Sequence, residues 1–349
     1  MADEHRPGPV HWIDHFVVGT NDMGAWIDWA VHAIGVERSP IGGLTTAARK
    51  TNRNINCFLT IGDGSCHFGA FLQPEALPPS AGLGKGTPRN GFYIRPKEID
   101  EHVRRLDAHG IPHTAPRHHT DEGEPGTAIY FQDPDENEYE FWAPDQMPDG
   151  AMEVCTAANV GRISSLVLAS RDLQRTAAFF AEFCSLEPDT SDQVPEDTLV
   201  LPLATGGRIV FKLTPEVDQR SLGHRPRNFL HTALLVRSED YFAHYERLWD
   251  GLPEEEQDGV DGSGIAAEEE ADLPARTGLH GSPAGRRWKA TFSRGDGFYD
   301  WDTHAFHFFS GTSVRADGSL AVYKPIDPED FLREFAETPL GKSMANVQA

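Results

Sequence analysis

The sequence predicts an α+β fold in which four βαβββ modules form two curved sheets. Four segments share the same order of a short apolar strand, a polar turn and an amphipathic helix. Strand-like runs follow each helix, such as NCFLTI and CHFGAFLQP after the first. A single βαβββ module cannot bury a face of its own sheet, and so we expect the modules to pair around a cavity.

The first module opens with an apolar strand over about residues 12–18. Thr20, Asn21 and Asp22 can cap the helix that follows, and Gly35 can end it. The second module reads GFYIRPKEIDEHVRRLDAHG, the third RISSLVLASRDLQRTAAFFAEFC and the fourth LHTALLVRSEDYFAHYERLWDG. Each of these segments places apolar residues at helical spacing after a strand, which is the pattern of the first.

The repeats predict how the chain is divided. The predicted segments are an N-terminal domain of two modules (1–148), a linker (149–160), a C-terminal domain of two modules (161–325) and a tail (326–349). An irregular stretch over about 251–285 interrupts the fourth module. Its residues 251–275 contain nine Asp or Glu and no basic residue, which predicts a solvated insertion, and a role as a lid stays open.

Composition limits the classes of function. With 54 acidic and 31 basic residues the net charge is -23, which disfavours nucleic acid and anionic membranes as partners. No apolar run approaches the roughly 20 residues of a membrane span, and no leader peptide is visible. The four cysteines show no CxxC spacing and are expected to be free thiols. We therefore expect a cytoplasmic protein, and a homo-oligomer stays open.

Two stretches carry a resemblance to a known family. GTAIYFQDPDENEYEFWAP resembles the closing hairpin of a glyoxalase-type module, and WIDHFVVGTNDM resembles the opening strand with its ligand histidine. Over roughly residues 11–145 and 161–310 the chain is similar to the vicinal oxygen chelate superfamily, the glyoxalase and extradiol dioxygenase group. The resemblance implies two glyoxalase-like barrels around a metal site.

In that superfamily the metal ligands come from the opening strand of one module and from the opening and closing strands of its partner. The opening-strand positions are His15, Gly91, Ser165 and His231 in modules one to four. The closing-strand positions are Glu140 and, because DWDTHAFHFF lies over DPDENEYEFW, His307.

Pairing of modules one and four gives a complete set of His15, His231 and His307, and every other pairing lacks a ligand. The set resembles that of the hydroquinone-type ring-cleaving dioxygenases, with His307 in place of the usual carboxylate. Glu140 is then expected to lie in a second, non-catalytic cavity. Asp14 and Leu230 depart from the polar histidines expected in this branch.

The resemblance implies a non-haem Fe(II) dioxygenase that cleaves a C–C bond of a phenolic or enolic substrate with O2. A three-histidine site leaves the metal more positive than a site with a carboxylate, and an anionic catecholate, hydroquinonate or enolate would compensate. Tyr299 is expected to donate a proton or hydrogen bond, and Arg294 to neutralise a substrate carboxylate. We expect an aromatic cavity that includes Phe68, Phe298 and Phe309.

Two alternatives stay open. Zn, Mn, Ni or Co at the same ligands would suit a lyase, isomerase or epimerase of the superfamily. A non-catalytic protein that binds small molecules, of the glyoxalase/bleomycin-resistance type, would have no need of the histidines. For Tyr299 the structural interpretation is a packed strand residue, and for Arg294 an exposed loop residue.

Overall fold

The computed structural model of the protein describes part of the 349-residue chain. The described residues are 7–36, 40–41, 56–61, 66–73, 76–215, 224–225, 228–229, 231–236, 240, 243–244, 247, 278–280, 297–300, 302 and 304–309. Most of the acidic insertion, the predicted fourth helix and the tail lie outside the described residues.

Helices and strands alternate as the repeats predict. The helices are α1 (Met23–Ala33), α2 (Ile99–Ala108, preceded by a 3-10 turn over Pro96–Glu98) and α3 (Leu173–Cys184). The strands are β1 (Trp12–Thr20), β2 (Pro40–Ile41), β3 (Asn56–Ile61), β4 (Cys66–Leu72), β5 (Arg89–Ile94), β6 (Arg117–His119), β7 (Gly126–Gln132), β8 (Glu138–Pro144), β9 (Val160–Ser170), β10 (Thr198–Pro202), β11 (Arg208–Leu213), β12 (His224–Arg225), β13 (Asn228–Phe229), β14 (Thr232–Leu235), β15 (Gly278–His280), β16 (Gly297–Tyr299) and β17 (Ala305–Phe309). Among the described residues, no helix is long and apolar enough to cross a bilayer.

The strands form two main curled sheets, which confirms the predicted α+β class. The first sheet has the order β15-β16-β17-β14-β1-β4-β3-β2, and the second has the order β10-β11-β9-β5-β8-β7-β6. Antiparallel pairing of β1 with β14 joins modules one and four, and antiparallel pairing of β5 with β9 joins modules two and three. Each sheet therefore combines modules from both sides of residues 149–160, and the domain boundaries stay a prediction.

The largest part of the hydrophobic core lies between the two sheets. Phe16 and Phe68 of the first sheet pack against Phe92 of the second, with ring centroids 5.8 and 5.5 Å from that of Phe92. Trp26 of α1 closes this group at 5.4 Å from Phe68. These rings are fully buried or nearly so. Removal of their apolar surface from water therefore stabilises the packing of the two sheets against each other.

Modules two and four contain the same acidic turn. Oδ1 of Asp133 accepts hydrogen bonds from the backbone N–H groups two and four residues later, at 3.0 and 2.9 Å, and Oδ1 of Asp300 does the same at 3.0 and 2.9 Å. Asp135 and Asp302 then accept hydrogen bonds from the segments that lead into α1 and α3. The two turns are structurally equivalent, as the alignment of DWDTHAFHFF with DPDENEYEFW predicts.

Candidate metal site

The opening strand β1 contains a bulge at Asp14. Ile13 pairs with Leu234 of β14, but the next pair is His15 with Ala233, so Asp14 is an extra residue on β1. Regular alternation would place Asp14 and His15 on opposite faces of the sheet, and a bulge relaxes that alternation and can re-aim a side chain. Both side chains are buried, and the carboxylate of Asp14 reaches the imidazole of His15.

Three histidines from adjacent strands converge on one point in the first sheet. Nε2 of His15 lies 3.2 Å from Nε2 of His231 and 3.0 Å from Nε2 of His307. For metal–nitrogen bonds of about 2.0–2.1 Å, two ligand nitrogens are about 2.9 Å apart at a right angle and about 3.4 Å apart at a tetrahedral angle. The observed separations fall between these values, and so the three nitrogens fit a single ion.

Asp14 decides which nitrogen of His15 faces the other two. Nδ1 of His15 lies 2.6 Å from Oδ2 of Asp14, and because a carboxylate only accepts, Nδ1 carries the hydrogen. Nε2 therefore presents a lone pair, which both His231 and His307 approach. One lone pair cannot satisfy two donors well, whereas one cation can bind all three nitrogens.

Burial favours the neutral form of the His15 and His307 imidazoles. Desolvation lowers the pKa of His15 to about 3, and desolvation together with the neighbouring His231, His15 and His67 holds the pKa of His307 well below its usual value. Burial also raises the pKa of Asp14 to about 6, against an opposing effect of His67. Neutral imidazoles are the form that binds metal, so the site is ready for a cation at neutral pH.

His67 is a fourth histidine of the cluster, which sequence reasoning missed. It lies opposite His15 in the parallel pair of β1 and β4, and the two rings stack at 4.3 Å. Nδ1 of His67 is 3.8 Å from Oδ2 of Asp14, and Asp14, His15 and His67 form a second group with metal-ligand potential. Comparing the closing strand of module one with those of modules two and four would have found it.

Aromatic side chains form the walls beside the histidines. Phe58 meets the edge of His15 at 5.7 Å between ring centroids, and Phe71 lies 6.5 Å from His231. These two rings pack with Val17 in a small cluster separate from the main core. They give the site flat apolar surfaces suited to a planar ligand.

The expectation for Phe68 is wrong. Its ring points into the core between the sheets, where it packs against Phe16 and Trp26. Phe68 follows His67 on a regular strand, and successive side chains of a strand point to opposite faces. Phe298 and Phe309 lie on β16 and β17, but their side chains are outside the described residues.

Residues 12–141 match the family model described as the Glyoxalase/Bleomycin resistance protein/Dioxygenase superfamily. The matched residues span modules one and two, and this part of the chain is similar to that superfamily. A protein of Bacillus subtilis subsp. subtilis str. 168 described as a "putative dioxygenase" has a similar structure, with a TM-score of 0.59, 14% identity and coverage of 87% of this chain and 86% of that chain. Glyoxalase I from Zea mays is similar with a TM-score of 0.54, 12% identity and coverage of 86% and 92%. At these identities the likeness shows the fold, and no curated protein matches the chain significantly.

The superfamily's metal positions are filled differently in the second sheet. There the residues opposite each other on the opening and closing strands are Gly91 with Glu140 and Ser165 with Arg208. A Cβ at Gly91 would lie 2.2 Å from Oγ of Ser165, so a side chain at the position equivalent to that of His15 would have to displace Ser165. Among the described residues, the clusters that could hold a metal ion both lie in the first sheet.

The predicted roles of Tyr299 and Arg294 stay predictions. Tyr299 lies at the end of β16 and pairs with Ala305 of β17, but its side chain is outside the described residues. Arg294 and Leu230 are themselves outside the described residues.

Proposed function

We propose that the protein is a metal-dependent enzyme in which His15, His231 and His307 hold one divalent ion. The observation that carries the proposal is the convergence of three Nε2 atoms at 3.0 and 3.2 Å on the first sheet. The match of residues 12–141 to a superfamily model that covers dioxygenases and glyoxalases supports it. With Fe(II) at this site, we propose a dioxygenase that cleaves a C–C bond of a phenolic or enolic substrate.

The charge of the ligand set supports this substrate class. Three neutral imidazoles would leave a divalent ion with its full charge, and the carboxylate of Asp14 contacts the far nitrogen of the His15 ring. When bound, Fe(II) would supply a Lewis acid that favours an ionised phenolic or enolic oxygen and a centre that reacts with O2. A catecholate, hydroquinonate or enolised diketone therefore complements the site.

The surrounding residues hold this geometry. Asp14 fixes the tautomer and orientation of His15, and the stacked ring of His67 restricts rotation of His15 from the other side. Phe58 and Phe71 offer faces against which an aromatic ring would lie beside the ligands. These contacts prepare the site for a flat anionic ligand, and we propose O2 as the second substrate.

A zinc, manganese, nickel or cobalt enzyme is the second candidate. Three histidines with an open position are also a ligand set of zinc enzymes, in which a bound water is acidified. The 3.2 Å separation of the Nε2 atoms of His15 and His231 lies between the values for ligands at a right angle and at a tetrahedral angle. The geometry therefore suits an ion with either arrangement of ligands. Such a site would support a lyase, isomerase or epimerase without O2 consumption.

The test is metal analysis of anaerobically purified protein, followed by O2 uptake with a panel of catechols, hydroquinones and diketones. We expect one iron per chain and O2 uptake with an aromatic or enolic member of the panel. His307→Ala should lose both, whereas His118→Ala, a matched change of an exposed histidine on the second sheet, should keep both.

Other results point elsewhere. Bound zinc without O2 uptake would replace the dioxygenase by the second candidate. Tight binding of an aromatic compound with no metal, unchanged in His307→Ala and in His231→Ala, would instead identify a non-catalytic binding protein.

A further inference from the structure

Four residues form one row across the first sheet, beside the converging histidine nitrogens. Phe58 of β3 lies opposite Gly69 of β4, and Gly69 lies opposite Val17 of β1. The backbone N–H of Val17 donates to the carbonyl of His231 at 2.9 Å, which places His231 at the other end of the row. At a strand spacing of about 4.8 Å, the two ends of the row are roughly 14 Å apart.

The ring of Phe58 lies across Gly69 instead of standing over its own strand. A Cβ added to Gly69 would lie 2.6 Å from Cδ1 and 2.7 Å from Cε1 of Phe58. The ring therefore extends over β4 towards the histidines, and it meets the rings of His15 and His67 edge to face, at 5.7 and 5.4 Å between centroids. Gly69 allows this position, because the side chain of any other residue would occupy the same space.

Phe58 can be contacted by a bound molecule. Val17 and Phe71, with which it packs, are only 6% and 7% exposed, whereas Phe58 is half-buried. On the side away from His231, the row therefore ends in an accessible aromatic ring.

The space between Phe58 and His231 is about as wide as one aromatic ring. Because the Phe58 ring lies over β4, two strand spacings, about 10 Å, separate it from the strand that follows His231. Packed rings have centroids at least about 4.5 Å apart, so one ring between Phe58 and His231 needs about 9 Å. A second ring, fused to the first on the side of Phe58, would overlap the Phe58 ring.

We propose that Phe58 is a specificity-determining residue, which admits diols of one ring to the histidine site and rejects diols with a second fused ring. The inference rests on the proposed function, since it takes a phenolic ring held at the three histidines and lying over Val17. In that position the substrate ring packs against Phe58. Gly69 acts through Phe58, because its lack of a side chain lets the ring lie close to the histidines.

The test compares catechol with 2,3-dihydroxynaphthalene, which has the same two adjacent hydroxyl groups and one more fused ring. Each diol is titrated without O2 into the Fe(II)-loaded full chain, and binding is followed by absorbance, so that no turnover is needed. We expect the parent protein to bind catechol about tenfold more tightly or better, because overlap of this kind costs about 1–3 kcal/mol. Phe58→Ala should remove most of this difference and keep the iron content. Phe183→Ala, a change of a half-buried phenylalanine on α3, is the matched control and should keep the difference.

A second variant keeps the inference testable if Phe58→Ala fails to fold. Gly69→Ala adds a methyl group where the Phe58 ring lies, and the sheet below leaves the ring only the side of the ligand to move to. We expect Gly69→Ala to keep its iron and to bind catechol more weakly than the parent protein does. Unchanged catechol binding in this variant would contradict the inference.

The other outcomes separate this inference from the proposed function. The role of Phe58 is overturned if the parent protein binds both diols equally, or if the ratio of the two dissociation constants is the same in Phe58→Ala. If the parent protein takes up iron and binds neither diol, the proposed substrate class is wrong and the inference falls with it. The expected ratio without any O2 uptake would refute the proposed dioxygenase and support the role of Phe58.

Discussion

Replacement of Asp14 by Asn tests how the fold prepares His15 to bind a metal. Asp14 is buried and accepts from Nδ1 of His15 at 2.6 Å, which directs the lone pair of Nε2 towards the other two histidines. Asn has nearly the same shape but no charge, and its amide nitrogen can donate to Nδ1 and so favour the other tautomer, with hydrogen on Nε2. Loss of such a contact to a ligand ring costs about 10–100-fold in metal affinity, or about 1.4–2.7 kcal/mol.

The assay is a competition titration in which a chelator of known affinity and the protein share Fe(II) or Zn2+ without oxygen. Asp149→Asn, an exposed change of the same type, is the matched control and should leave the affinity unchanged. Metal affinity of Asp14→Asn within about twofold of the parent protein would show that Asp14 does not prepare His15 for the metal, since loss of that contact should cost about tenfold at the least.

Two further predictions concern the second sheet and α2. Gly91→Ala should destabilise the protein by about 1–3 kcal/mol in urea unfolding, because the added Cβ would lie 2.2 Å from Oγ of Ser165; an unchanged midpoint would contradict this close packing. Burial and the adjacent Arg105 lower the pKa of His102 to about 3, so the unfolded chain takes up a proton below pH 6.5 that the folded chain does not. The free energy of unfolding should therefore fall by about 2 kcal/mol from this residue between pH 7 and pH 5, and His102→Phe should show a smaller fall over the same range; an equal fall in both proteins would be inconsistent with that assignment.

The repeated order of strand, turn and helix predicts the fold because its sequence signals are local. The acidic turns that begin at Asp133 and Asp300 are closed by short-range hydrogen bonds, so the shared Asp-X-Asp pattern produces the same turn in both modules. Aligning the turns places His307 at the position of Glu140, and only the pairing of the first and last modules then collects three histidines. The strand order of the first sheet shows that pairing.

The rest of the site depends on contacts between distant strands. The bulge at Asp14 exists only in the pairing of β1 with β14, and the stacking of His67 on His15 exists only in the pairing of β1 with β4. Neither register can be derived from periodicity along one strand. The buried ion pairs of Arg89 and Arg208 with Glu122 and Glu140 were missed for a related reason, because these residues come from three strands and a loop and share no motif.

Anomalous diffraction at the iron edge, from crystals of the full chain grown without oxygen in the presence of Fe(II), tests the three-histidine site directly. We expect one peak about 2.0–2.3 Å from Nε2 of His15, His231 and His307, and none at the second sheet. Absence of a peak between these three nitrogens, or iron bound at other residues, would contradict this expectation.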